Sequence, residues 1–268
     1  MTTEIEYHDV VGIRTAVRQR GGGAPVIFMH GNPDTGEEWT PFLDRADELG
    51  RVIAPDLPGF GLTARPPLAD FATLKMWFSA LVDELGLERY RLVVHDWGSI
   101  ALAAAATRPH QLEKLVVIDA VPLTAEYRWH WLARCWRTPV LGELAAVGMN
   151  RATLKQLSRL SSPRRGPMAD DFLDEATRHL DHGTRRAILQ LYRSADPGVL
   201  GAAGRALDEV RCPALVVWAT GDPYLGTEEA YRYAEALPDA TVELVHGAGH
   251  WCFREDPAVV DRIVDFLG

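Results

Sequence analysis

One acidic residue lies where a side chain is typically placed to attack a substrate. Residues 92–99, LVVHDWGS, pass from an apolar strand pattern directly into a helix of small residues at 100–106. A strand that turns sharply into a helix forms a nucleophile elbow, and the residue at its apex projects its side chain. The apex in this sequence is Asp96, so the attacking atom is predicted to be a carboxylate oxygen.

Two other interpretations of this stretch are weaker. Ser99 is the obvious competing nucleophile, but it comes three positions later and its surroundings do not match the G-x-S-x-G pattern. Asp96 could also be an ordinary acidic residue that the dipole of the following helix stabilises. Two flanking motifs favour the catalytic interpretation.

The first flanking motif is HGNP at residues 30–33, which follows the apolar strand pattern at 26–29. A glycine turn at this point allows backbone N–H groups to converge on the elbow. With the N–H of Trp97, they would form an oxyanion hole.

The second flanking motif is GAGHW at residues 247–251, after the strand pattern at 241–245. A histidine in a glycine-flanked loop at a strand end can reach over the sheet, so His250 is the predicted general base. His246 and His95 are rivals. His246 ends its strand, and His95 precedes the elbow and is predicted to pack beneath it.

The base needs an acid that orients it. Asp222 lies in the turn ATGDP at residues 219–223, after the strand pattern at 215–218. It gives the chain order nucleophile, acid, base that accompanies a nucleophile elbow. Asp119, at the end of the strand pattern at 115–118, is the alternative acid, and Asp222 is preferred.

Buried strands must position these residues. Continuous apolar runs at residues 26–29, 51–54, 92–94, 115–118 and 215–218 alternate with helical stretches, which indicates parallel strands covered on both faces. Residues 4–8 and 13–17 alternate and predict an antiparallel hairpin, and residues 71–85 predict a surface helix that ends at Gly86. The predicted fold class is α/β, with a mostly parallel twisted sheet and an antiparallel N-terminal edge.

The strand rhythm stops after Ile118 and resumes near Ala214. Residues 122–208 are therefore predicted to form a helical cap, or lid, inserted into a core of residues 1–121 and 209–268. Two of its helices are expected around residues 170–179 and 185–194. Apolar residues such as Phe60, Trp129 and Leu191 are expected to line a pocket beneath the cap.

The motifs HGNP at 30–33, HDWG at 95–98 and the pair Gly249-His250 together resemble the aspartate-nucleophile branch of the α/β-hydrolase fold. This branch contains the haloalkane dehalogenases and the epoxide hydrolases. The resemblance extends from about residue 20 to residue 268 and is stronger in the core than in the cap. It implies that Asp96 attacks a saturated carbon to form an ester, which His250 hydrolyses by activating water.

The leaving group distinguishes the two subfamilies. In haloalkane dehalogenases, a Trp after the nucleophile and an Asn in the HGNP motif hold the departing halide, and Trp97 and Asn32 match both positions. Carbon–halogen hydrolysis is therefore the first expectation. Epoxide hydrolases bring two cap tyrosines to the ring oxygen; Leu191-Tyr192-Arg193 resembles part of that arrangement, with Tyr127 as a candidate partner. Epoxide hydrolysis to vicinal diols is the alternative.

Two further alternatives carry less weight. Residues 129–131, WHW, offer N–H donors for a site like that of fluoroacetate dehalogenases, but that subfamily has Arg at the position of Trp97. A non-catalytic binding protein on the same scaffold would not need to keep the nucleophile, acid and base together, whereas Asp96, Asp222 and His250 are all present.

Composition limits the partners. The chain has 28 Lys and Arg against 37 Asp and Glu, a net charge of −9, so nucleic acid is a poor candidate. The short basic stretch SPRRGP at 162–167 is expected to be a solvated loop. The start lacks a signal-peptide pattern and no apolar run could span a bilayer, so a cytoplasmic protein without membrane contact is expected.

Cofactors are not implied either. Cys135, Cys212 and Cys252 are odd in number and lack metal-ligand spacing, which fits reduced thiols. Neither a dinucleotide fingerprint nor a His/Cys/Glu cluster with metal spacing is present. The expected partners are a small apolar organic substrate and water.

Overall fold

The computed structural model describes residues 3–161 and 168–268. The basic stretch at 162–167, which the sequence predicts to be a loop, lies outside the described residues, as do Met1 and Thr2. Within the described residues, the strands form one eight-stranded sheet. The strands are β1 (Glu4–Val10), β2 (Ile13–Arg20), β3 (Pro25–Met29), β4 (Arg51–Pro55), β5 (Tyr90–Asp96), β6 (Leu112–Ala120), β7 (Ala214–Ala219) and β8 (Ala240–Val245).

The sheet has the order β1-β2-β4-β3-β5-β6-β7-β8. The hairpin β1–β2 is antiparallel, and β2 pairs antiparallel with β4. All remaining neighbours run parallel. The predicted α/β class, with a mostly parallel sheet and an antiparallel N-terminal edge, is therefore confirmed.

Helices cover both faces of the sheet. They are α1 (Thr40–Leu43), α2 (Ala46–Leu49), α3 (Phe71–Glu84), α4 (Ser99–Ala105), α5 (Trp131–Arg137), α6 (Leu141–Gly148), α7 (Arg151–Ser161), α8 (Asp170–Arg178), α9 (His182–Ser194), α10 (Pro197–Gly204), α11 (Glu228–Ala236), α12 (Cys252–Glu255) and α13 (Pro257–Leu267). Short 3₁₀ helices lie at Gly36–Trp39, Pro109–Gln111 and Leu207–Glu209.

Alternate residues of the central strands feed two hydrophobic cores. In β3, Ile27 and Met29 face the core that includes α3 and α4. Val26 and Phe28 face the core on the other side of the sheet, which includes α13. Both sets are fully buried, which explains why these strands have continuous apolar runs rather than an alternating pattern.

The surface helix predicted at residues 71–85 is confirmed as α3. The carboxylate of Asp70 accepts a hydrogen bond from the N–H of Thr73 and caps its start. Gly86 follows the last turn with a φ of +64°, a left-handed conformation that glycine adopts without strain.

Helices α5 to α10 lie between β6 and β7, and the described residues of this stretch contain no strand. Helix α9 is fixed to the start of α3 by two hydrogen bonds. The side chain of Gln190 accepts from the N–H of Ala69, and Ser194 Oγ accepts from the N–H of Phe71. Tyr192 of α9 is thereby held over the end of β5, against Trp97. The described chain has no helix both long and apolar enough to cross a membrane.

The turn from β5 to α4 requires a glycine at position 98. A Cβ there would overlap the carbonyl oxygen of Met29 and press on the backbone of His95. We expect Gly98→Ala to lower the free energy of unfolding by about 3 kcal/mol, because both obstacles are rigid backbone.

The matched control is Gly148→Ala at the exposed end of α6, where an added Cβ has open space. We expect this variant to gain up to about 1 kcal/mol, since alanine favours a helix. Urea unfolding followed by circular dichroism measures both. Equal effects of the two changes would contradict the steric argument.

Candidate active site

The elbow between β5 and α4 places Asp96 at the end of the central strand. Asp96 has a φ of +48°, which is costly for a residue with a side chain. The turn is held by a hydrogen bond from the N–H of Gly98 to the carbonyl of His95, at 2.7 Å. On the β6 side, the N–H of Val121 donates to the carbonyl of Asp96, at 3.0 Å. A strained backbone that its neighbours hold in place is a common feature of functional positions.

The HGNP turn lies directly against this carboxylate. The N–H of Asn32 donates to Asp96 Oδ2 at 2.8 Å. Position 31 must be glycine because an added Cβ would overlap the side chain of Asp96. Burial raises the pKa of Asp96, whereas the nearby histidines and the backbone N–H groups of Asn32 and Trp97 oppose that rise.

His250 lies beside Asp222. Its Nδ1 is 2.7 Å from Asp222 Oδ2, and both side chains are almost completely buried. The other carboxylate oxygen of Asp222 accepts hydrogen bonds from the N–H groups of Tyr224 and Leu225, which fix its orientation. Burial alone would lower the pKa of His250, but the carboxylates of Asp222, Asp96 and Asp119 outweigh it and raise that pKa to about 10.

Asp119, the alternative acid, is a second carboxyl group close to this pair. It is the last residue but one of β6 and has a φ of +35°, and its Oδ1 accepts a hydrogen bond from the N–H of Ala219 in β7 at 2.8 Å. Burial, reinforced by the charge of Asp222, raises the pKa of Asp119 well above its usual range. Asp222 is therefore the carboxylate next to His250 Nδ1, whereas Asp119, on β6, is hydrogen-bonded to the backbone of β7.

The other sequence candidates lie elsewhere. The ring of His95 packs against that of His250, and its Nε2 lies 2.9 Å from the carbonyl oxygen of His250. His246 follows β8 and is exposed. Ser99 begins α4 as a fully buried residue, and its hydroxyl has no hydrogen-bond partner in residues 3–161 and 168–268.

Two side chains of the predicted leaving-group site meet a tyrosine of α9. The rings of Trp97 and Tyr192 are 4.9 Å apart in an edge-to-face arrangement. Burial raises the pKa of Tyr192 far above its usual range, and the side chains of Trp97 and Asn32 partly oppose this rise. The hydroxyl of Tyr192 therefore lies near the side chains of both Trp97 and Asn32. The indole N–H of Trp97 is buried without a hydrogen-bond partner among the described residues.

Tyr127, the other candidate tyrosine, lies behind this site. Its ring packs edge-to-face on Trp129, and its hydroxyl is buried with no partner in the described part of the chain. Burial is the main cause that raises the pKa of Tyr127, and the negative charge of Asp96 raises it further. Unlike Tyr192, Tyr127 does not line the pocket described next.

A pocket opens over Asp96 and His250. The expectation that Phe60, Trp129 and Leu191 line it is wrong. All three are buried, but they pack into the core; Trp129, for example, contacts Trp97, 5.5 Å between ring centroids. The apolar wall comes instead from helices α5, α7 and α8 and includes Leu132, Trp136, Leu154, Leu157, Phe172 and Leu173.

Polar residues that the sequence did not indicate also line or support this pocket. Tyr224 lies two residues after Asp222, and its hydroxyl is 2.8 Å from Ser161 Oγ. The carbonyl of Ser161 accepts a hydrogen bond from the N–H of His250, at 3.0 Å. The amphipathic spacing of Leu154, Leu157 and Ser161 along α7 was the signal that could have placed this helix over the site.

The described residues contain no group of three or more His, Cys, Asp or Glu side chains that could hold a metal ion. The three cysteines are free thiols, with Cys252 buried and Cys135 and Cys212 partly exposed.

Comparison with known proteins gives one family. The family model described as the alpha/beta hydrolase fold matches residues 24–257. The chain is 31% identical to a haloalkane dehalogenase of Mycolicibacterium paratuberculosis, covering 91% of this chain and 83% of the relative. It is 27% identical to epoxide hydrolase A of Mycobacterium tuberculosis, covering 97% and 95%. The crystal structure of haloalkane dehalogenase DbeA from Bradyrhizobium elkani superposes with a TM-score of 0.85 at 25% identity, covering 99% and 98%.

The contact between His250 and Asp222 predicts unequal effects of two isosteric changes. We expect Asp222→Asn to lower the pKa of His250 by about 1–3 pH units, because it removes the hydrogen-bonded negative charge that stabilises the imidazolium. Asp119→Asn is expected to lower this pKa by less. NMR titration of the His250 ring, assigned with His250→Phe, measures both. A larger effect of Asp119→Asn would make Asp119 the orienting acid.

Proposed function

Because the chain belongs to the α/β-hydrolase fold family, whose matched relatives include hydrolytic enzymes, we propose that it hydrolyses carbon–halogen bonds through an ester on Asp96. The buried indole N–H of Trp97 carries this proposal, because it directly follows Asp96 and lacks a partner within the described residues. A buried donor without a partner is unfavourable and is expected to serve a bound group. A departing halide supplies an acceptor that needs no proton.

We propose that the described residues of the segment 122–208 form a cap over this site. The apolar wall from α5, α7 and α8 supports a substrate that is small and largely apolar. The same wall limits the water that reaches Asp96, which strengthens the attraction between charges inside the pocket.

In the proposed first step, a carboxylate oxygen of Asp96 attacks the carbon that bears the halogen. The new C–O bond forms as the carbon–halogen bond breaks, and the halide leaves with the bonding electron pair. The indole N–H of Trp97 and the side chain of Asn32 surround the departing charge. No proton is transferred in this step, which fits a site whose N–H donors are weak acids.

In the proposed second step, His250 removes a proton from water, and the resulting hydroxide attacks the carbonyl carbon of the Asp96 ester. The N–H groups of Asn32 and Trp97, which oppose the raised pKa of Asp96 in the free protein, then stabilise the oxyanion. Collapse of this intermediate releases the alcohol and restores the carboxylate.

Ester formation prepares His250 for its role. The negative charge of Asp96 is one of the causes that raise the pKa of His250 to about 10. Alkylation converts this carboxylate into a neutral ester, so the pKa of His250 falls and the imidazole becomes available as a base. Asp222 remains in place to stabilise the imidazolium once the proton from water has been taken up.

Epoxide hydrolysis is the second candidate, and the position of Tyr192 favours it. This tyrosine lines the pocket, and its hydroxyl lies near Asn32 and Trp97, where it could protonate an alkoxide. The expected second tyrosine, Tyr127, does not line the pocket. The hydroxyl of Tyr224 does line it but is already engaged with Ser161. Carbon–halogen hydrolysis is preferred because neither tyrosine supplies the second free hydroxyl that epoxide opening would use.

A His250→Phe variant is expected to trap the ester, because it keeps the nucleophile and removes the base. After exposure to bromoalkanes, we expect intact-protein mass spectrometry to show the alkyl mass without bromine, attached to Asp96. Terminal epoxides would instead add their entire mass, so one experiment separates the two chemistries.

The matched control for this trap is the double variant His250→Phe with Asp96→Asn, which should gain no mass with either class of reagent. An adduct that persists in this control would mean that another residue is alkylated. No adduct in His250→Phe with any member of a broad panel would contradict the proposed function.

Trp97→Phe tests the leaving-group site, since it keeps an aromatic ring and removes the indole N–H. We expect kcat for bromoalkane hydrolysis to fall about 100-fold, the usual effect of removing one donor to a developing negative charge. Tyr192→Phe should have a much smaller effect on the same substrate. The reverse order, measured by bromide and diol release, would transfer the main role to Tyr192.

A further inference from the structure

A glutamate that the proposed mechanism does not use lies beneath the site. Glu38, in the 3₁₀ helix Gly36–Trp39, is almost completely buried. Neither of its carboxyl oxygens has a hydrogen-bond partner within residues 3–161 and 168–268. Its Oε2 lies 3.5 Å from Nδ1 of His95, and this nitrogen also lacks a hydrogen bond there.

The proton of His95 is fixed by its other neighbour. His95 Nε2 is 2.9 Å from the carbonyl oxygen of His250, and a carbonyl oxygen only accepts hydrogen bonds. Nε2 must therefore carry the proton. Burial, reinforced by the charge of His250, lowers the pKa of His95 to about 4, so the ring is neutral at physiological pH. A neutral ring with its proton on Nε2 has a lone pair on Nδ1.

This lone pair faces the carboxyl group of Glu38. If Glu38 were ionised, its negative charge would repel the lone pair. A protonated carboxyl group would instead satisfy both orphaned atoms with a single hydrogen bond. We propose that Glu38 is held as a neutral carboxylic acid that donates to His95 Nδ1 and so positions the loop that carries His250. Glu38 is a positioning residue, since it acts on His250 only through the ring of His95.

Asp34 complements this arrangement from the same turn. Its Oδ2 accepts a hydrogen bond from the indole N–H of Trp251 at 2.8 Å, and burial, reinforced by the charge of Glu38, raises the pKa of Asp34 well above its usual range. Two adjacent buried carboxyl groups resist a second negative charge, because their ionised forms repel each other. Asp34 thus holds Trp251 directly. Glu38 holds the preceding residue, His250, through the ring of His95.

The charged surroundings favour a neutral Glu38. Burial raises its pKa to about 8; the side chain of Asp34 opposes this rise, Asp96 contributes to it, and Arg254 and His250 also oppose it. Arg254 is partly engaged by Glu175. On the side of β2 and β4, Arg18 is already paired with Asp56 and Glu37, and Arg178 from α8 pairs with Glu37. No cation among the described residues forms an ion pair with Glu38.

The proposal predicts an alkaline limit for the enzyme. Above about pH 8, ionised Glu38 would confront the lone pair of His95, weaken the hold on the His250 loop and add a negative charge near Asp96. The free energy of unfolding should also depend on the ionisation of Glu38. The unfolded chain releases this proton near pH 4.5 and the folded chain near pH 8, so ionisation penalises the fold increasingly between these two values and no further above them.

Glu38→Gln is the decisive variant, because its amide N–H₂ can donate the same hydrogen bond and cannot ionise. We expect its melting temperature, relative to wild type, to rise by at least about 5 °C between pH 4.5 and pH 8 and then level off. We also expect wild-type kcat to fall about tenfold per pH unit above pH 8, whereas kcat of the variant stays level.

Glu37→Gln is the matched control. Glu37 is the neighbouring residue, but its carboxylate faces Arg18 and Arg178 at the surface. Its change should leave the alkaline limit in place and shift the melting temperature by a similar amount at every pH from 5 to 9. Parallel curves for wild type and Glu38→Gln in both measurements would overturn the proposal.

One measurement uses the unaltered protein and needs no substrate. In long-range ¹H–¹⁵N NMR spectra of histidine-labelled wild type at pH 7, His95 should show a protonated Nε2 and an Nδ1 that accepts a hydrogen bond. A protonated Nδ1 would overturn the proposal even if Glu38→Gln failed to fold.

The kinetic test alone rests on the proposed hydrolase function. The expected melting curves and NMR spectra, in a protein that turns over neither halides nor epoxides, would support the role of Glu38 and overturn the proposed reaction.

Discussion

The burial of the Asp96 carboxylate constrains every other feature of this site. A carboxylate removed from water is unfavourable unless hydrogen bonds and opposite charge replace its hydration. The HGNP turn and the elbow aim the N–H groups of Asn32 and Trp97 at it, and His250 supplies the opposing charge. The positive φ of Asp96 and the glycine at 31 follow from this need, since backbone donors can approach a side chain closely only where neighbouring side chains are absent, and the glycine at 98 lets the elbow pack against the carbonyl of Met29.

The parts of this arrangement that follow from local sequence could be predicted. Continuous apolar runs identify the central strands, because a strand buried on both faces has no polar side. Residues that directly follow such strands meet at one edge of the sheet, which is why the sequence alone could bring Asp96, Asp222 and His250 together. The structure adds the geometry: Oδ2 of Asp222, the acid that the sequence already favours, lies 2.7 Å from His250 Nδ1, whereas Asp119 Oδ1 accepts from the N–H of Ala219.

The apolar lining of the pocket resisted prediction for a physical reason. Phe60, Trp129 and Leu191 are apolar, and apolar residues satisfy a core as well as a pocket wall. Which of the two they meet depends on how α5, α7, α8 and α9 pack on one another, and this is decided by tertiary contacts rather than by helical periodicity. The pairing of Glu38 with His95 was equally hidden, because the two residues come from a turn and a strand far apart in the chain. A lone glutamate beside Trp39 has no local pattern that distinguishes it from a solvated residue.

The proposed chemistry depends on where a few protons reside among the acids Asp34, Glu38, Asp96, Asp119 and Asp222. All are buried at one end of the sheet, and in such surroundings the number of simultaneous negative charges is limited by the cations available. His250 is raised to a pKa of about 10 because it serves as the shared counter-ion of Asp222 and Asp96. A neutral Glu38 keeps a further charge out of this balance. If alkylation of Asp96 removes one negative charge, His250 is the group that responds, and it changes from counter-ion to base at the point where the reaction requires one.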